Sequence, residues 1–188
     1  MTLPINIPNL LTVGRILLTP LFVIFLIRGL YVPALFVFTI AAVSDGLDGF
    51  IARVFNQRTA LGAYLDPIAD KLLLSSAFVS LAVLELIPAW LTVIVISRDV
   101  IIFMGIAVLT LSAKTVAMSP SLLSKCTTLV QLTTVFAVLI ESNIAGLGHM
   151  AHILFWTAAG LTILSGLHYI YIGLNILQDT SENMDSEK

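Results

Sequence analysis

Six apolar runs, each long enough to cross a bilayer as a helix, constrain this chain more than any other feature. They cover roughly 10–29, 34–54, 62–83, 89–112, 122–141 and 150–174, each close to the ~20 residues that span about 30 Å of hydrocarbon. The breaks between them carry helix-ending residues: Arg28-Gly29 and Pro33, Asn56 to Thr59, Pro88, Ser119-Pro120-Ser121, and Gly146 to His149. Inside lipid every backbone polar group needs an internal partner, which makes helices the default. A β-barrel would need short alternating segments, and these runs are continuous.

Composition agrees. Of 188 residues, 59% are hydrophobic and 11% charged, with a mean hydropathy of +1.05. Soluble domains carry about 25% charged residues. The expected fold is an all-α integral membrane protein with six transmembrane helices and a short N-terminal interfacial segment broken by Pro4 and Pro8. Residues 1–177 are read as one membrane domain and 178–188, polar and rich in acid, as a disordered tail. The opening MTLPINIPN has no basic n-region and no A-x-A-like cleavage site, so it is expected to belong to the mature fold. The single cysteine, Cys126, excludes an internal disulfide and a cysteine zinc site, and is read as a packing residue.

Six spans put both termini on one side of the membrane. Arg15, Arg53, Arg58, Lys114 and Lys125 fall near that face, whereas Arg28, Glu85 and Glu141 fall near the other. The excess of basic residues assigns the first face to the cytoplasm. The expected location is a multi-pass position in the inner, cytoplasmic membrane.

The chemistry is concentrated in residues 43–72, VSDGLDGFIARVFNQRTALGAYLDPIADKL. Asp45 and Asp48 are three apart and share a helix face; Asp66 and Asp70, four apart, share another, with Gly62 one turn earlier. The short polar link Asn56 to Thr59 is expected to make the flanking helices antiparallel neighbours, so that the two acidic pairs face each other at the cytoplasmic end. Carboxylates beside lipid are costly, and like charges raise one another's pKa. Protonation is one remedy. The other is a pair of divalent cations, since hard oxygens suit Mg²⁺ or Mn²⁺, and Mg²⁺ takes phosphate oxygens as further ligands. Gly49, Ala52 and Gly62 leave space at this mouth, Arg53 can turn toward it, and Pro67 frees the carbonyl of Ala63.

The pattern Asp45-x-x-Asp48-Gly49-x-x-Ala52-Arg53, eight residues, then Gly62-x-x-x-Asp66-x-x-x-Asp70 matches every fixed position of the CDP-alcohol phosphatidyltransferase signature. The opening Asn6-Ile7-Pro8-Asn9-Leu10-Leu11-Thr12 with Arg15 resembles bacterial glycerophosphate-type members, so the resemblance covers nearly the whole chain. It implies transfer of a phosphatidyl group from CDP-diacylglycerol to an alcohol, with release of CMP. It implies Asp45, Asp48 and Asp66 as metal ligands, with Asp70 beside them as the general base. Gly49, Ala52, Arg53 and Gly62, with Asn9, Thr12 and Arg15 on the nucleotide side, would line the CDP pocket. The family also implies a homodimer; no nucleic-acid partner is expected.

The acceptor must be met by residues outside the signature. Arg98, in the fourth span, and Lys125, at the start of the fifth, are the candidates. Arg98 and Asp99 are sequence neighbours, which do not face each other on a helix, so Arg98 is expected to meet a phosphate or a signature aspartate. Phosphatidylglycerophosphate synthases tend to carry Arg-Glu followed by a further Leu-Arg; here the second arginine is missing. Ser97-Arg98-Asp99-Val100 and Pro120 to Gln131 are more similar to the CMP-forming cardiolipin synthases. A glycerol-type acceptor is thus expected: phosphatidylglycerol first, glycerol 3-phosphate as the alternative. Two bland readings stand beside this one. The aspartates could pair with Arg53, Arg58 and Lys71 in a buried ion network, or serve an ion-coupled transporter.

Other residues have structural readings. Lys71 is expected to snorkel to the interface, His149 and His152 to sit there, and His168 and Met104 to fill space between helices. Trp90 and Tyr31 fit an aromatic belt. Gly105, Gly160, Ser165 and Gly166 could mark helix contacts or a dimer face.

Overall fold

Each apolar run folds as a helix, and the described breaks, at Arg28-Gly29 and before Ala89 at Pro88, fall where the sequence supplies helix-ending residues. The computed structural model describes the backbone of residues 7–54, 60–111, 122–142 and 148–186, and the side chains of residues 9–46, 62, 65–105, 122–142 and 151–175. Among these are six helices: α1 (Ile7–Ile27), α2 (Tyr31–Val54), α3 (Ala60–Val83), α4 (Ala89–Leu111), α5 (Leu122–Glu141) and α6 (Gly148–Ser186), and no strand. Helical backbone in α6 continues into the segment expected as a disordered tail. Three stretches are long and apolar enough to cross a membrane: Asn9–Ile27, Leu122–Glu141 and Ala151–Asn175.

Two helix ends show how the chain turns. After α1, Gly29 adopts φ 69°, Gly29 N–H donates to Leu26 O at 2.9 Å and Leu30 N–H to Phe25 O at 2.9 Å. This satisfies the last carbonyls in a Schellman closure. After α3 the same closure is made by Glu85 at φ 57°, with Glu85 N–H on Ala82 O at 3.0 Å and Leu86 N–H on Leu81 O at 2.9 Å. A side chain in this left-handed region is strained where glycine is not.

Packing departs from the expected pairing in one respect that matters for the site. α2 and α3 each pack chiefly on α1 and only slightly on each other, while α6 packs on both α4 and α5. The short 55–59 link therefore does not make α2 and α3 close partners, because α1 takes the groove between them. The two groups join through α2 on α5 and α3 on α4. The core runs through this junction: Phe22 lies 5.3 Å from Phe38, and Phe38 meets Phe136 edge-on at 5.0 Å. In lipid these contacts act through close packing more than through the hydrophobic effect.

Hydroxyls in the helices bond backward to their own backbone. Thr19 donates to Arg15 O, Thr39 to Leu35 O, Thr134 to Val130 O and Ser142 to Val138 O, at 2.7 to 2.9 Å. Such bonds let a polar side chain sit in an apolar helix without an orphaned group.

Several packing expectations are corrected. Cys126, Met104 and His168 are exposed on the chain rather than filling its interior. Each lies on the outer face of its helix, and a period read from a uniformly apolar run does not say which face is outer. Trp90 stacks at 5.1 Å on Trp156 near the loop end of α4, and His152 is exposed near the start of α6. His149 lies outside the described side chains.

Candidate active site

The site is organised by a fully buried arginine. Arg15 is on α1, one turn after Thr12, and both are 0% exposed. Its Nη1 lies 2.6 Å from Asp45 Oδ1 on α2 and donates to Asp70 Oδ1 on α3 at 3.3 Å. Thr12 Oγ1 donates to Asp66 Oδ1 at 2.6 Å. Residues of α1 thus reach both acidic pairs, which is why α1 must occupy the groove between α2 and α3. Asn9, a turn before Thr12, is also buried, as is Gly62 on α3.

The aspartates are gathered but not sealed. The side chains of Asp45 and Asp70 are 40% and 37% exposed, so they open toward a ligand while Arg15 stays behind them. Arg15 Nη1 reaches both carboxyl groups, which brings the two acids close together. Two anionic groups this close need a shared proton or a cation between them. A hard divalent ion fits that donor set. Among the described residues, no group of three or more His, Cys, Asp or Glu side chains is drawn into one metal cage; Asp66 is held by Thr12 instead. The side chains of Asp48, Gly49, Ala52 and Arg53 lie outside the described residues.

The second polar centre surrounds Arg98, on α4 and 4% exposed. Its Nη1 donates to Asp99 Oδ1 at 2.8 Å, and its Nη2 donates to Ser124 Oγ on α5 at 2.7 Å and to Ser165 Oγ on α6 at 2.9 Å. The guanidinium lies 5.9 Å from the centre of the Tyr169 ring, and its aliphatic stem rests where Gly166 leaves room. The expectation that Arg98 could not meet its neighbour is therefore corrected: a long, flexible stem lets the guanidinium fold back onto Asp99 although the two Cβ atoms diverge. Lys71 has a partner that the sequence did not suggest: its Nζ lies 2.5 Å from the same Asp99 oxygen, and its side chain stays 43% exposed. Lys125 is exposed, and it is the preceding residue, Ser124, that meets Arg98.

Sequence reasoning undervalued Arg15, offered Lys71 only as a partner of the signature aspartates, and missed Asp99, Ser165 and Tyr169 as members of polar centres. A signal existed for the first three. Each is a charge inside an apolar run, where an unpartnered charge is not tolerated.

The helices and the site define a membrane protein with an aspartate cluster around a buried cation at one point and a second, arginine-centred cluster linked to it through α3. Comparison with known proteins gives the class a family. The CDP-alcohol phosphatidyltransferase model matches residues 5–164, and the chain belongs to that family. It is similar to human cardiolipin synthase (CMP-forming), with 48% identity over 104 residues, 55% of this chain and 35% of that protein. It is 37% identical over 193 residues to the rat protein of the same name, covering 93% of this chain and 64% of the other. It is 32% identical over 181 residues to CDP-diacylglycerol–glycerol-3-phosphate 3-phosphatidyltransferase of Bacillus subtilis, covering 87% of this chain and 93% of the other. The chain thus spans about a third to two thirds of the length of the two mammalian relatives.

Proposed function

We propose that this chain is a phosphatidyltransferase of phospholipid synthesis, which transfers a phosphatidyl group from CDP-diacylglycerol to phosphatidylglycerol and releases CMP. The observation that carries the reading is the meeting of Asp45 and Asp70 at Arg15, within a chain whose family match covers the whole signature. The 1–177 segment acts as one membrane domain of six spans in the inner membrane, with this site on the cytoplasmic side, and the protein works as a homodimer.

Asp45, Asp48, Asp66 and Asp70 would hold the divalent cations, Mg²⁺ or Mn²⁺, and two ions suit four carboxylates. When bound, the ions neutralise the pyrophosphate of the donor and favour CMP as the leaving group. Asp70 takes the proton from the acceptor hydroxyl. The freed oxygen bonds to the phosphatidyl phosphorus as the bond from that phosphorus to CMP breaks. Arg15 holds Asp45 and Asp70 in register, and Thr12 turns Asp66 by its hydroxyl. Asn9, Thr12, Gly49, Ala52, Arg53 and Gly62 would line the CDP side. Arg98 would meet the acceptor's phosphate. Lys125 is assigned to the acceptor only as an outer contact.

Glycerol 3-phosphate is the second acceptor reading, favoured by the match to nearly the full length of the Bacillus subtilis protein. Purified enzyme given CDP-diacylglycerol, Mg²⁺ and each acceptor in turn decides between them when the lipid products are resolved. Cardiolipin from phosphatidylglycerol is expected; phosphatidylglycerophosphate as the sole product would overturn the acceptor assignment, and no lipid product would overturn the reading itself.

A further inference from the structure

Asp99 uses one oxygen for two cations. Its Oδ1 accepts from Arg98 Nη1 on its own helix and lies 2.5 Å from Lys71 Nζ on α3. Lys71 directly follows Asp70, the proposed base. A single carboxylate therefore ties the helix that carries the base to the helix that carries the buried arginine. The two cations differ in access: the Arg98 side chain is 5% exposed, while that of Lys71 is 43% exposed. A ligand can reach the lysine and still share the arginine.

The cluster is unfinished. Two positive groups against one carboxylate leave it one net charge positive. Asp99 Oδ2 and Arg98 Nε are both buried with no hydrogen-bond partner among the described residues. Buried polar atoms are seldom left so. One acceptor atom and one donor atom of neighbouring residues are thus left unsatisfied beside a net positive charge. A ligand bearing both an anionic oxygen and a hydroxyl satisfies all three features, and a glycerol phosphate or its diester is such a ligand.

We infer that Asp99 is a positioning residue that holds Lys71 and Arg98 together as a paired anion site for the acceptor's phosphate. The inference rests on the proposed transferase reading for the identity of the ligand, but the pairing itself does not. It makes Lys71, rather than Lys125, the second cation at the acceptor.

Two measurements test it on the full chain in detergent. In the first, an amine-acylating reagent is applied with and without inorganic phosphate, and acylation of each lysine is read by mass spectrometry. Phosphate is expected to slow acylation of Lys71 about threefold or more in the parent chain and not in Arg98→Met, and to leave Lys125 unchanged. Asp99→Asn is expected to speed Lys71 acylation without phosphate, because the ammonium loses its tether. Unchanged Lys71 reactivity under phosphate, or in Asp99→Asn, overturns the inference whether or not the chain transfers lipid. In the second, Asp99→Asn and Lys71→Met are expected to raise KM for the acceptor about tenfold, the size of one lost charge-assisted hydrogen bond, with KM for CDP-diacylglycerol unchanged and Asp99→Glu recovering most of the loss. A rise in both KM values together with a lowered melting temperature would mark Asp99 as structural only. A parent chain that transfers nothing overturns the proposed function and leaves the acylation result to decide the anion site.

Discussion

Arg15 and Asp45 meet across α1 and α2 at 2.6 Å, with the arginine wholly buried and the carboxylate two-fifths exposed. The same Nη1 reaches Asp70, so one fixed cation stands behind both acids. Removing it should leave those acids with no permanent counter-charge. Breaking a fully buried pair costs about 3–5 kcal/mol, and the half-open carboxylates reduce this to about 1–3 kcal/mol. Arg15→Met should therefore melt lower in metal-free detergent than the parent chain. A divalent cation can replace the lost charge, so Mg²⁺ should raise the variant's Tm more than the parent's. Equal Mg²⁺ shifts in the two would show that Arg15 does not share the carboxylates with a metal.

The two Schellman closures make opposite predictions at equivalent positions. Glu85 holds φ 57° with a side chain, and Gly29 holds φ 69° without one. A non-glycine residue there costs about 1–2 kcal/mol, against which glycine's extra freedom in the unfolded chain recovers up to about 1 kcal/mol. Glu85→Gly should stabilise by about 0.5–1 kcal/mol, and Gly29→Ala should destabilise by about 1 kcal/mol. Thermal melts of the two single variants check this, and a Glu85→Gly variant that melts below the parent would mean that the Glu85 side chain makes a contact worth more than the strain.

The helices were legible because hydrocarbon demands long apolar runs, and their ends because glycine and proline mark them. Asp45, Asp66 and Asp70 were legible because a carboxylate in such a run is costly. What α1 does was not legible. The 55–59 link is short, and chain economy favours pairing its flanking helices, yet side-chain fit gave the groove to α1. No local pattern encodes that choice; Arg15 hinted at it only as a charge inside an apolar run. The Arg98 cluster was half legible for a similar reason. Its cations stand out in the sequence, but its hydroxyl partners Ser124 and Ser165 lie 41 positions apart on α5 and α6, and serines in apolar helices usually bond to their own backbone.

The stem of Arg98 lies against Gly166 on α6, where an added Cβ would stand 3.5 Å from Arg98 Cγ. That is ordinary contact, so Gly166→Ala should fold and melt within about 0.5 kcal/mol of the parent. A leucine's further carbons would occupy the stem's own space and push the guanidinium off Ser124 and Ser165. Gly166→Leu should raise the acceptor's KM about tenfold, close to 1.4 kcal/mol, with the KM for CDP-diacylglycerol unchanged. If Gly166→Leu leaves both constants as they were, Arg98 does not serve the acceptor.

Asp70 carries the sharpest expectation because its two roles separate. As a base it must lose its proton to work; as a ligand it need only donate an oxygen. Asp70→Asn keeps the shape and one oxygen but cannot take a proton. Positioned general bases contribute about 10²–10⁴-fold, so kcat should fall by at least about 10³-fold if Asp70 also helps to hold a cation. The variant should still bind CDP-diacylglycerol in the presence of Mn²⁺, because Asp45 and Asp66 remain, and it should melt near the parent, because Arg15 keeps Asp45. Chelation of divalent ions should abolish transfer by the parent chain, and added Mg²⁺ should restore it. Asp70→Asn should stay inactive at any Mg²⁺ concentration. Recovery of the variant at high Mg²⁺ would make Asp70 a ligand alone and move the base elsewhere.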